Sequence, residues 1–382
     1  MTGAASPLRD CLAGRRVLDL SQYLPGPFAS LMLADLGADV VKVEPPAGDP
    51  MRDFGPAGPG GPSLWYQTLN GGKTVVRLDL KDAEDQTRLA ELLADCDVLV
   101  ESFRPGVLAR LGFPAERLAE INQGLVHCAL SGFGQTGPLA QASGHDITYL
   151  AMTGALHATG EPDRPSIPFP PMADHAGAWA AVSAILAALL RRAATGAGAH
   201  LDVSLFEGAL AQQYYGLSAA LQGEQPVDRG TTLVTGAAAF YRIYRTADGR
   251  FAAFAPIEGK FWERFCAAVE RPDLLPRHAE PLPQTALIAE LESLFESRPL
   301  ADWEALLGPR DCCFQPVLTH GEALAVPHVA GRGLVQRDGP SGPVHTLFPA
   351  LMDGTPAAPR QPVREATPAE AVAAWEAGAQ PS

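Results

Sequence analysis

The sequence predicts an α/β protein: a mostly parallel sheet covered by helices on both faces, followed by a smaller α+β domain. Up to about residue 130, short apolar strands alternate with helical segments, which is the pattern of a doubly covered parallel sheet. From about residue 223 the pattern changes to a hairpin and short helices. The length of 382 residues also exceeds one ordinary core and favours two domains.

The elements of the first domain follow from apolar runs and the breakers between them. Pro27 is placed to open the first helix, which stops at Gly37. A further helix follows Pro105-Gly106, and two long Ala- and Leu-rich helices come later in the chain. The predicted strands are 17–20, 39–44, 74–80, 98–100 and 125–130, and the predicted helices are 28–36, 83–95, 177–192 and 203–221.

A smaller domain is predicted over residues 223–329. Ala247-Asp248-Gly249 is a turn signal between two strands within 240–254, and short helices are predicted at 259–269 and 285–297. The C-terminal stretch is rich in Pro, Gly and Ala and is predicted to return to the first domain. Residues 1–222 and 330–382 therefore form the predicted large domain.

Composition excludes several classes of function. The net charge of −14 disfavours nucleic acid and anionic membranes as partners, so a phosphate-bearing ligand needs a local basic patch. The longest apolar run, 178–190, is shorter than a membrane span, and residues 1–7 lack the pattern expected of a signal peptide. Six scattered cysteines without a CxxC pair indicate a reduced, cytoplasmic protein. Without GxGxxG, P-loop, HxH or HExxH motifs, no redox cofactor or metal is predicted.

Two short motifs hold the main candidates for chemistry. His145 follows Gly144 at the start of a predicted element, and histidine titrates near neutral pH and suits acid–base work. Asp174 precedes a long helix, where it serves either as the N-cap or as a functional carboxylate. Gly177 allows a ligand to approach the free amides of that helix, which stabilise negative charge.

Charged residues elsewhere add weaker candidates. Glu258 starts a predicted helix, where an acidic residue is also favoured by the helix dipole alone. Several basic residues lie near the ends of first-domain elements, either as solvated charges or as contacts to an anionic ligand. They are Lys42, Arg52, Lys73, Arg104 and Arg110.

Ordered motifs from about residue 15 to residue 335 resemble the class III CoA-transferase (CaiB/BaiF) superfamily, which includes α-methylacyl-CoA racemase. The motifs are GPFA (26–29), LGADVVKVE (36–44), DLK (79–81), RPG (104–106), SGFGQTGP (131–138) and TGAG (195–198). This resemblance implies a Rossmann-like large domain, a small α+β domain and a C-terminal return. It also implies an interlocked homodimer with active sites between domains of two subunits.

The superfamily divides by chemistry, and this chain resembles its racemases more closely. Transferases use the aspartate that matches Asp174 as a nucleophile and carry an aromatic residue where this chain has His145. Racemases use that aspartate and the histidine of a Gly-His-Asp-Ile-Asn-Tyr motif as two bases, and here Thr148 replaces the asparagine. A racemase glutamate that supports the histidine matches Glu258, although Gly259-Lys260 replaces Pro-Gln. The DCCFQPVL stretch at 311–318 also resembles the racemases.

The sequence therefore predicts an acyl-CoA racemase or epimerase that transfers a proton at C2. His145, oriented by Glu258, serves one face and Asp174 the other, while helix N-terminal amides from Asp174 to Gly177 hold the thioester enolate. The alternatives are an acyl-CoA:carboxylate CoA-transferase with Asp174 as the nucleophile, and a catalytically silent CoA-binding protein. CoA itself is expected to contact Lys42, Asn70, Gly71, Gly72, Lys73, Arg104, Arg110, Gly144, Asp146, Ile147, Thr148 and Tyr149.

Overall fold

A computed structural model describes residues 6–58, 61–223, 227–339 and 342–378 of the chain. The chain divides into two compact units. The large unit comprises the described parts of 1–153, 169–212 and 327–382, and the small unit comprises those of 154–168 and 213–326. Compared with the predicted small domain at 223–329, the small unit also takes in 154–168 and the segment from residue 213.

The bounds of the regular elements are as follows. The helices are α1 (Pro25–Asp35), α2 (Leu64–Asn70), α3 (Ala83–Asp95), α4 (Val107–Arg110), α5 (Ala115–Ile121), α6 (Asp146–Met152), α7 (Ala155–Ala158), α8 (Met172–Thr195), α9 (Leu205–Ala211), α10 (Tyr214–Leu221), α11 (Gly259–Ala268), α12 (Thr285–Phe295), α13 (Leu300–Leu307), α14 (His320–Leu324), α15 (Pro327–Arg332) and α16 (Pro368–Gly378). The strands are β1 (Arg16–Asp19), β2 (Asp39–Glu44), β3 (Thr74–Arg77), β4 (Val98–Glu101), β5 (Val126–Ser131), β6 (Gly160–Glu161), β7 (Arg164–Pro165), β8 (Ala199–Ser204), β9 (Arg242–Arg245), β10 (Phe251–Phe254), β11 (Phe314–Pro316), β12 (Val335–Arg337), β13 (Val344–Thr346), β14 (Leu351–Met352), β15 (Thr355–Pro356) and β16 (Arg364–Glu365).

A seven-stranded parallel sheet forms the centre of the large unit and confirms the predicted α/β class. Its strand order is β16-β3-β2-β1-β4-β5-β8. Strands such as β2 and β4 are buried along almost their whole length, because helices cover both faces of the sheet. Parallel pairing places the carboxyl ends of all these strands at one edge, and Arg104 follows β4 there.

Most first-domain elements match the prediction, with two informative errors. Helix α8 begins at Met172, several residues before the predicted start, and Pro171 occupies its N-cap. The predicted helix over 203–221 is helical over most of its length, but it begins inside strand β8 (199–204) and divides into α9 and α10. The alternation of apolar and polar side chains over residues 199–204 is the strand signal that the helical prediction missed.

Helix α8 is long and apolar enough to cross a membrane by length and composition alone. In the large unit it packs against α1, α9 and the sheet instead. A Cβ at Gly177 would lie 2.3 Å from a Leu205 methyl group, and one at Gly208 would lie 3.0 Å from the Gly177 amide. The close approach of α8 and α9 thus depends on these two glycines, as expected for a core helix.

The C-terminal stretch returns to the large unit. Strand β16 pairs with β3, Arg364 opposite Thr74, and adds the edge strand of the sheet. The Arg360 guanidinium donates two hydrogen bonds to the Asp35 carboxylate, at 2.7 and 2.6 Å, and both side chains are buried. Trp375 is 2% exposed and packs in the core formed with α3.

The small unit has its own apolar core beneath an antiparallel sheet of order β11-β10-β9. Strands β9 and β10 form the predicted hairpin, with Phe251 opposite Arg245. Phe254, Phe265, Phe295 and Trp303 are all buried in this core. The aromatic rings pack at 4.4 to 6.2 Å between centroids, which is the usual spacing of core aromatic pairs.

Candidate active site

Asp174 lies in the first turn of α8 and is half-buried. Because Pro171 is the N-cap, Asp174 is the third helical residue, and its side chain does not serve as the cap considered from sequence. Burial, followed by the nearby negative charge of Asp146, raises the pKa of the Asp174 carboxyl group to about 7. This carboxyl group therefore exchanges its proton near neutral pH, as a general acid or base requires.

Asp146 joins the two predicted motifs directly. Its carboxylate oxygen Oδ1 accepts hydrogen bonds from the backbone amides of Ala173 and Asp174, at 2.6 and 3.1 Å. The first residue of α6 therefore caps the N-terminus of α8 from outside that helix. The sequence indicated neither this contact nor its partner, which lies 28 residues away.

This contact also changes the predicted oxyanion site. Asp146 occupies the amides of Ala173 and Asp174, and the His175 amide donates to the Pro171 carbonyl oxygen at 3.3 Å. The amides of Ala176 and Gly177 lie beyond the first four helical residues and so have acceptors inside the helix. The prediction that amides from Asp174 to Gly177 hold an enolate is therefore wrong for this arrangement.

His145 is the N-cap of α6 and is exposed. The Thr148 hydroxyl accepts a hydrogen bond from the His145 amide at 3.0 Å and donates one to the His145 carbonyl oxygen at 2.7 Å. Thr148, which replaces the asparagine of the racemase motif, thus fixes the backbone that presents the imidazole. Ile147 is exposed beside it.

Tyr149 fills a slot between two glycines. A Cβ at Gly132 would lie 2.4 Å from the Tyr149 hydroxyl oxygen, and one at Gly144 would lie 2.5 Å from Cε1 of the same ring. The ring also meets Phe133 edge to face at 5.1 Å. Burial, followed by the negative charge of Asp174, raises the pKa of the Tyr149 phenol. The hydroxyl therefore stays protonated at neutral pH and can donate a hydrogen bond near Asp174.

Three of the five basic candidates are internal rather than ligand-facing. The Lys42 ammonium pairs with Asp49 at 3.0 Å and donates to the Ser21 carbonyl oxygen at 2.6 Å. The Lys73 ammonium contacts Asp19 at 3.3 Å, and both lysine side chains are fully buried. Arg52 pairs with Glu44 at 2.6 Å.

The loop at 70–73 is equally occupied by internal contacts. Lys73 also donates to the Asn70 side-chain oxygen at 3.0 Å, while the Gly72 amide donates to the Gln361 carbonyl oxygen at 2.6 Å. Gly71 is buried against the His345 and Arg360 side chains. The prediction that Lys42, Asn70, Gly71 and Lys73 hold CoA is therefore contradicted by burial, and of this group Gly72 alone is exposed.

Arg104 and Arg110, in contrast, are exposed at the carboxyl edge of the sheet. Next to them, a cavity of about 140 Å³ opens between the ends of strands β1 to β4. Sequence reasoning missed its lining, although position after parallel strands was an available signal. The lining residues are Leu20, Gln22, Val43, Glu44, Pro45, Leu78, Asp79, Leu80, Lys81, Phe103 and Leu111.

Glu258 belongs to the small unit, where it is the exposed N-cap residue of α11. Burial, followed by the charge of Glu258, raises the pKa of the Cys313 thiol in the same unit. A cavity of about 440 Å³ in the small unit is lined by aromatic and charged side chains that include Tyr241 and Arg242. The support of His145 by Glu258 stays a prediction.

The described residues contain no group of three or more His, Cys, Asp or Glu side chains able to hold a metal ion. The candidate site of the large unit consists instead of one imidazole, two neighbouring carboxyl groups and a phenol. Such a set can move protons, and its ionisable carboxyl group can also act as a nucleophile.

Comparison with known proteins identifies the family. The sequence model of CoA-transferase family III matches residues 12–367. The chain belongs to this family. It is 36% identical over 345 residues to the acetyl-CoA:oxalate CoA-transferase of Acetobacter aceti, covering 87% of this chain and 88% of that protein. It is 34% identical over 358 residues to the α-methylacyl-CoA racemase of Mus musculus, covering 91% and 88%.

The fold agrees with the family. A crystal structure of a CaiB/BaiF family protein from Brucella suis superposes with a TM-score of 0.83 at 29% identity, covering 98% of this chain and 99% of that one. Members of CoA-transferase family III are enzymes, and the similar proteins include both CoA-transferases and racemases. Similarity alone leaves the two reactions equally supported, so the choice depends on the site.

Proposed function

We propose that the protein is an acyl-CoA racemase or epimerase that acts by two-base proton transfer at C2 of the thioester. One base removes the C2 proton, and the electron pair of that bond moves into the thioester to form an enolate. The other base returns a proton to C2 from the opposite face, which inverts the configuration. Asp174 serves one face and His145, oriented by Glu258, serves the other.

The observation that carries this proposal is the pKa of the Asp174 carboxyl group, which is raised to about 7. Asp146, the neighbour of His145 in sequence, accepts a hydrogen bond from the Asp174 amide and so joins the two motifs. A reversible racemase needs each base to accept a proton in one direction and to donate it in the other. A group with a pKa near the working pH populates both states and performs both steps well. A nucleophilic carboxylate, in contrast, is most effective when it is fully ionised.

Enolate formation also needs a donor for the developing oxyanion. Acid–base catalysis contributes about 10²–10⁴-fold, which is small for a weakly acidic C–H bond. A preorganised donor contributes a further ~3–4 kcal/mol. Because the Ala173 and Asp174 amides are occupied, we assign the donor of a hydrogen bond to the enolate oxygen to the protonated Tyr149 hydroxyl.

For the CoA part of the substrate, the proposal retains the exposed members of the predicted set. The apolar lining of the cavity at the strand ends, including Phe103, suits a nucleotide base, while Lys81, Arg104 and Arg110 supply positive charge for phosphates. We also keep the exposed Gly72 and the predicted stretch 144–149, of which Tyr149 is buried, as proposed CoA contacts. We propose no metal or redox cofactor for the reaction.

A CoA-transferase is the second candidate, because transferases are as similar to this chain as racemases are. In that reaction the Asp174 carboxylate attacks the thioester carbonyl, CoA thiolate leaves and an acyl-aspartyl anhydride forms. The thiolate then attacks the aspartyl carbonyl, which releases the first acid and leaves an aspartyl-CoA thioester. An acceptor carboxylate takes up the CoA through a second anhydride.

One experiment separates these reactions. The protein is incubated with a chiral 2-methylacyl-CoA in D₂O without an acceptor acid, and C2 deuterium and enantiomeric purity are followed by NMR and chiral chromatography. Deuterium incorporation with racemisation is the expected result. A hydroxylamine-trapped adduct on Asp174 without deuterium overturns the racemase in favour of the transferase. Inactivity in both assays across many acyl-CoA substrates indicates a binding protein.

A pair of histidine variants sharpens the assay. His145→Ala is expected to abolish inversion, because one face of C2 loses its base. His328→Ala is the matched control, since His328 is an exposed histidine on α15 of the same unit. Unchanged inversion by His145→Ala would remove the imidazole from the mechanism.

We also propose a cytoplasmic homodimer. The six cysteines are all free thiols, which suits a reducing compartment. On α10, Tyr214, Tyr215 and Leu221 are 68%, 64% and 87% exposed, and a second copy of the chain would cover such an apolar face. Light scattering coupled to gel filtration measures the mass, and a monomer at micromolar concentration would contradict the dimer.

A further inference from the structure

Asp146 brings a full negative charge to the N-terminus of α8, although a neutral side chain could cap the helix. Two amides at the N-terminus of α8 donate to a single carboxylate oxygen, at 2.6 and 3.1 Å. An asparagine side chain offers a carbonyl oxygen of the same shape that accepts the same two bonds. The carboxylate therefore brings a negative charge that the geometry of the cap does not need.

That charge stands next to the reactive carboxyl group. A free helix N-terminus stabilises an anion, so an aspartate in the first turn of a helix normally ionises easily. Here Asp146 occupies the amides of Ala173 and Asp174 itself, and its like charge adds to the larger effect of burial in opposing ionisation of Asp174. Asp146 thereby reduces the tendency of the helix dipole to favour ionisation of Asp174.

We propose that Asp146 is a positioning residue that fixes the Asp174 backbone and, through its negative charge, keeps the Asp174 carboxyl group partly protonated at neutral pH. This proposal rests on the proposed function in one respect, the use of Asp174 as a proton carrier. Asp146 thereby favours proton transfer over nucleophilic attack, because a partly protonated carboxyl group is a poor nucleophile and a good acid–base catalyst.

The other side chains around the start of α8 do not supply a negative charge that would oppose ionisation of Asp174. From α6, Tyr149 presents a phenol that is neutral at neutral pH, and Arg104 lies near that phenol with a positive charge, which would favour ionisation of Asp174. On α8 itself, Nδ1 of His175 is hydrogen-bonded to the Pro171 carbonyl oxygen at 2.6 Å. From α1, Phe28 packs edge to face against the His175 ring at 5.0 Å between centroids, and α9 meets α8 through Gly208.

The test measures the protonation of Asp174 without using activity. A water-soluble carbodiimide with an amine tag modifies protonated carboxyl groups, and peptide mass spectrometry follows the labelling of Asp174 from about pH 5 to pH 9. Residues 165–191 contain Asp174 as their sole acidic residue, so a label on fragments within this stretch reports Asp174 alone. The wild-type midpoint is expected near pH 7. Asp146→Asn is expected to lower it by about one pH unit or more.

Asp82→Asn is the matched control. Asp82 is the N-cap of α3, where one carboxylate oxygen likewise accepts from two amides, those of Glu84 and Asp85 at 2.9 and 3.1 Å, on a different helix end from Asp174. The control should leave the labelling midpoint of Asp174 unchanged. An unchanged midpoint in folded Asp146→Asn, or an equal shift in Asp82→Asn, would overturn the proposal. If Asp146→Asn does not fold by circular dichroism, Asp146→Ser offers a second neutral substitution with the same expected shift.

The deuterium-exchange assay separates the two proposals. If the enzyme racemises, the pH optimum of exchange should fall in Asp146→Asn together with the labelling midpoint. If the enzyme instead forms the hydroxylamine-trapped adduct, the proposed function fails, while a shifted midpoint still supports the electrostatic role of Asp146. In that case trapping at neutral pH should increase in Asp146→Asn, because more Asp174 is ionised.

Discussion

Two clusters of charged side chains at the same sheet of the large unit behave in opposite ways. In the balanced cluster, Lys42 and Lys73 face Asp49 and Asp19, and all four side chains are completely buried. In the acidic cluster, Asp146 and Asp174 share one helix end without a direct basic partner among their described contacts. Each cluster contains candidate site residues from sequence, yet the balanced cluster is structural and the acidic cluster suits chemistry.

The pKa values express the difference. Burial alone would raise the pKa of Asp19, but Lys42, Lys73 and two serine hydroxyls lower it to about 2. Burial and a like charge act in the same direction on Asp174 and raise its pKa to about 7. The same residue type therefore becomes a permanent anion or a proton carrier, according to the sign of its neighbours.

The largest effect is expected from Asp174→Asn. This change removes the proton carrier but keeps the side-chain shape, so activity should fall by about 10³-fold or more, whichever reaction the enzyme performs. Folding should not suffer, because a neutral amide avoids burial of a charge at this position. Steady-state kinetics and chemical denaturation measure the two effects. Activity within tenfold of wild type would exclude Asp174 as the catalytic carboxyl group.

A substitution in the balanced cluster should lower stability and leave substrate binding unchanged. Lys73→Met leaves Asp19 with one fewer cation in a fully buried site and should lower the free energy of unfolding by about 3–5 kcal/mol. The folded fraction should keep its KM for acyl-CoA. Urea denaturation measures the loss, and Lys81→Met, at an exposed lysine, should change stability by less than about 0.5 kcal/mol. Unchanged stability with a raised KM would restore Lys73 as a CoA ligand.

The sequence predicted the sheet well, because strands buried on both faces produce continuous apolar runs that local pattern reveals. Val40 and Val41 in β2 show this directly, as both are about 1% exposed. The start of α8 was missed, although Pro170-Pro171 was a usable signal: proline is favoured just before or at the first turn of a helix. Residue chemistry and position singled out His145 and Asp174, the resemblance gave their expected roles, and the structure ties their motifs together through Asp146.

The pairing of charges was beyond local reasoning. Lys42 lies in β2 and Lys73 directly precedes β3, and either a ligand phosphate or a buried carboxylate can neutralise a lysine at such a position. Their partners Asp49 and Asp19 are fixed by tertiary contacts; Asp19 and Lys73, for instance, are 54 residues apart. The contact of Asp146 with α8 depends in the same way on the packing of α6, so a single sequence could not reveal which carboxylates are balanced.

The smallest expected effect is on the pH dependence of stability, which should have opposite signs for Asp174 and Asp19. Because its pKa is raised, Asp174 keeps a proton in the folded state that it releases above about pH 4 in the unfolded state. This difference lowers the free energy of unfolding progressively between about pH 4 and pH 7. Asp174→Asn should thus match wild type near pH 4 and exceed it by about 2 kcal/mol near pH 8, after allowance for partial exposure.

The lowered pKa of Asp19 has the reverse consequence. Its stabilisation is complete above about pH 4 and is lost as the pH falls towards 2, so the deficit of Asp19→Asn should shrink in acid. Urea denaturation at fixed protein concentration and several pH values measures both differences. If the two variants show the same slope of stability difference against pH, neighbouring charge does not distinguish the clusters, and burial alone would have to explain the Asp174 carboxyl group.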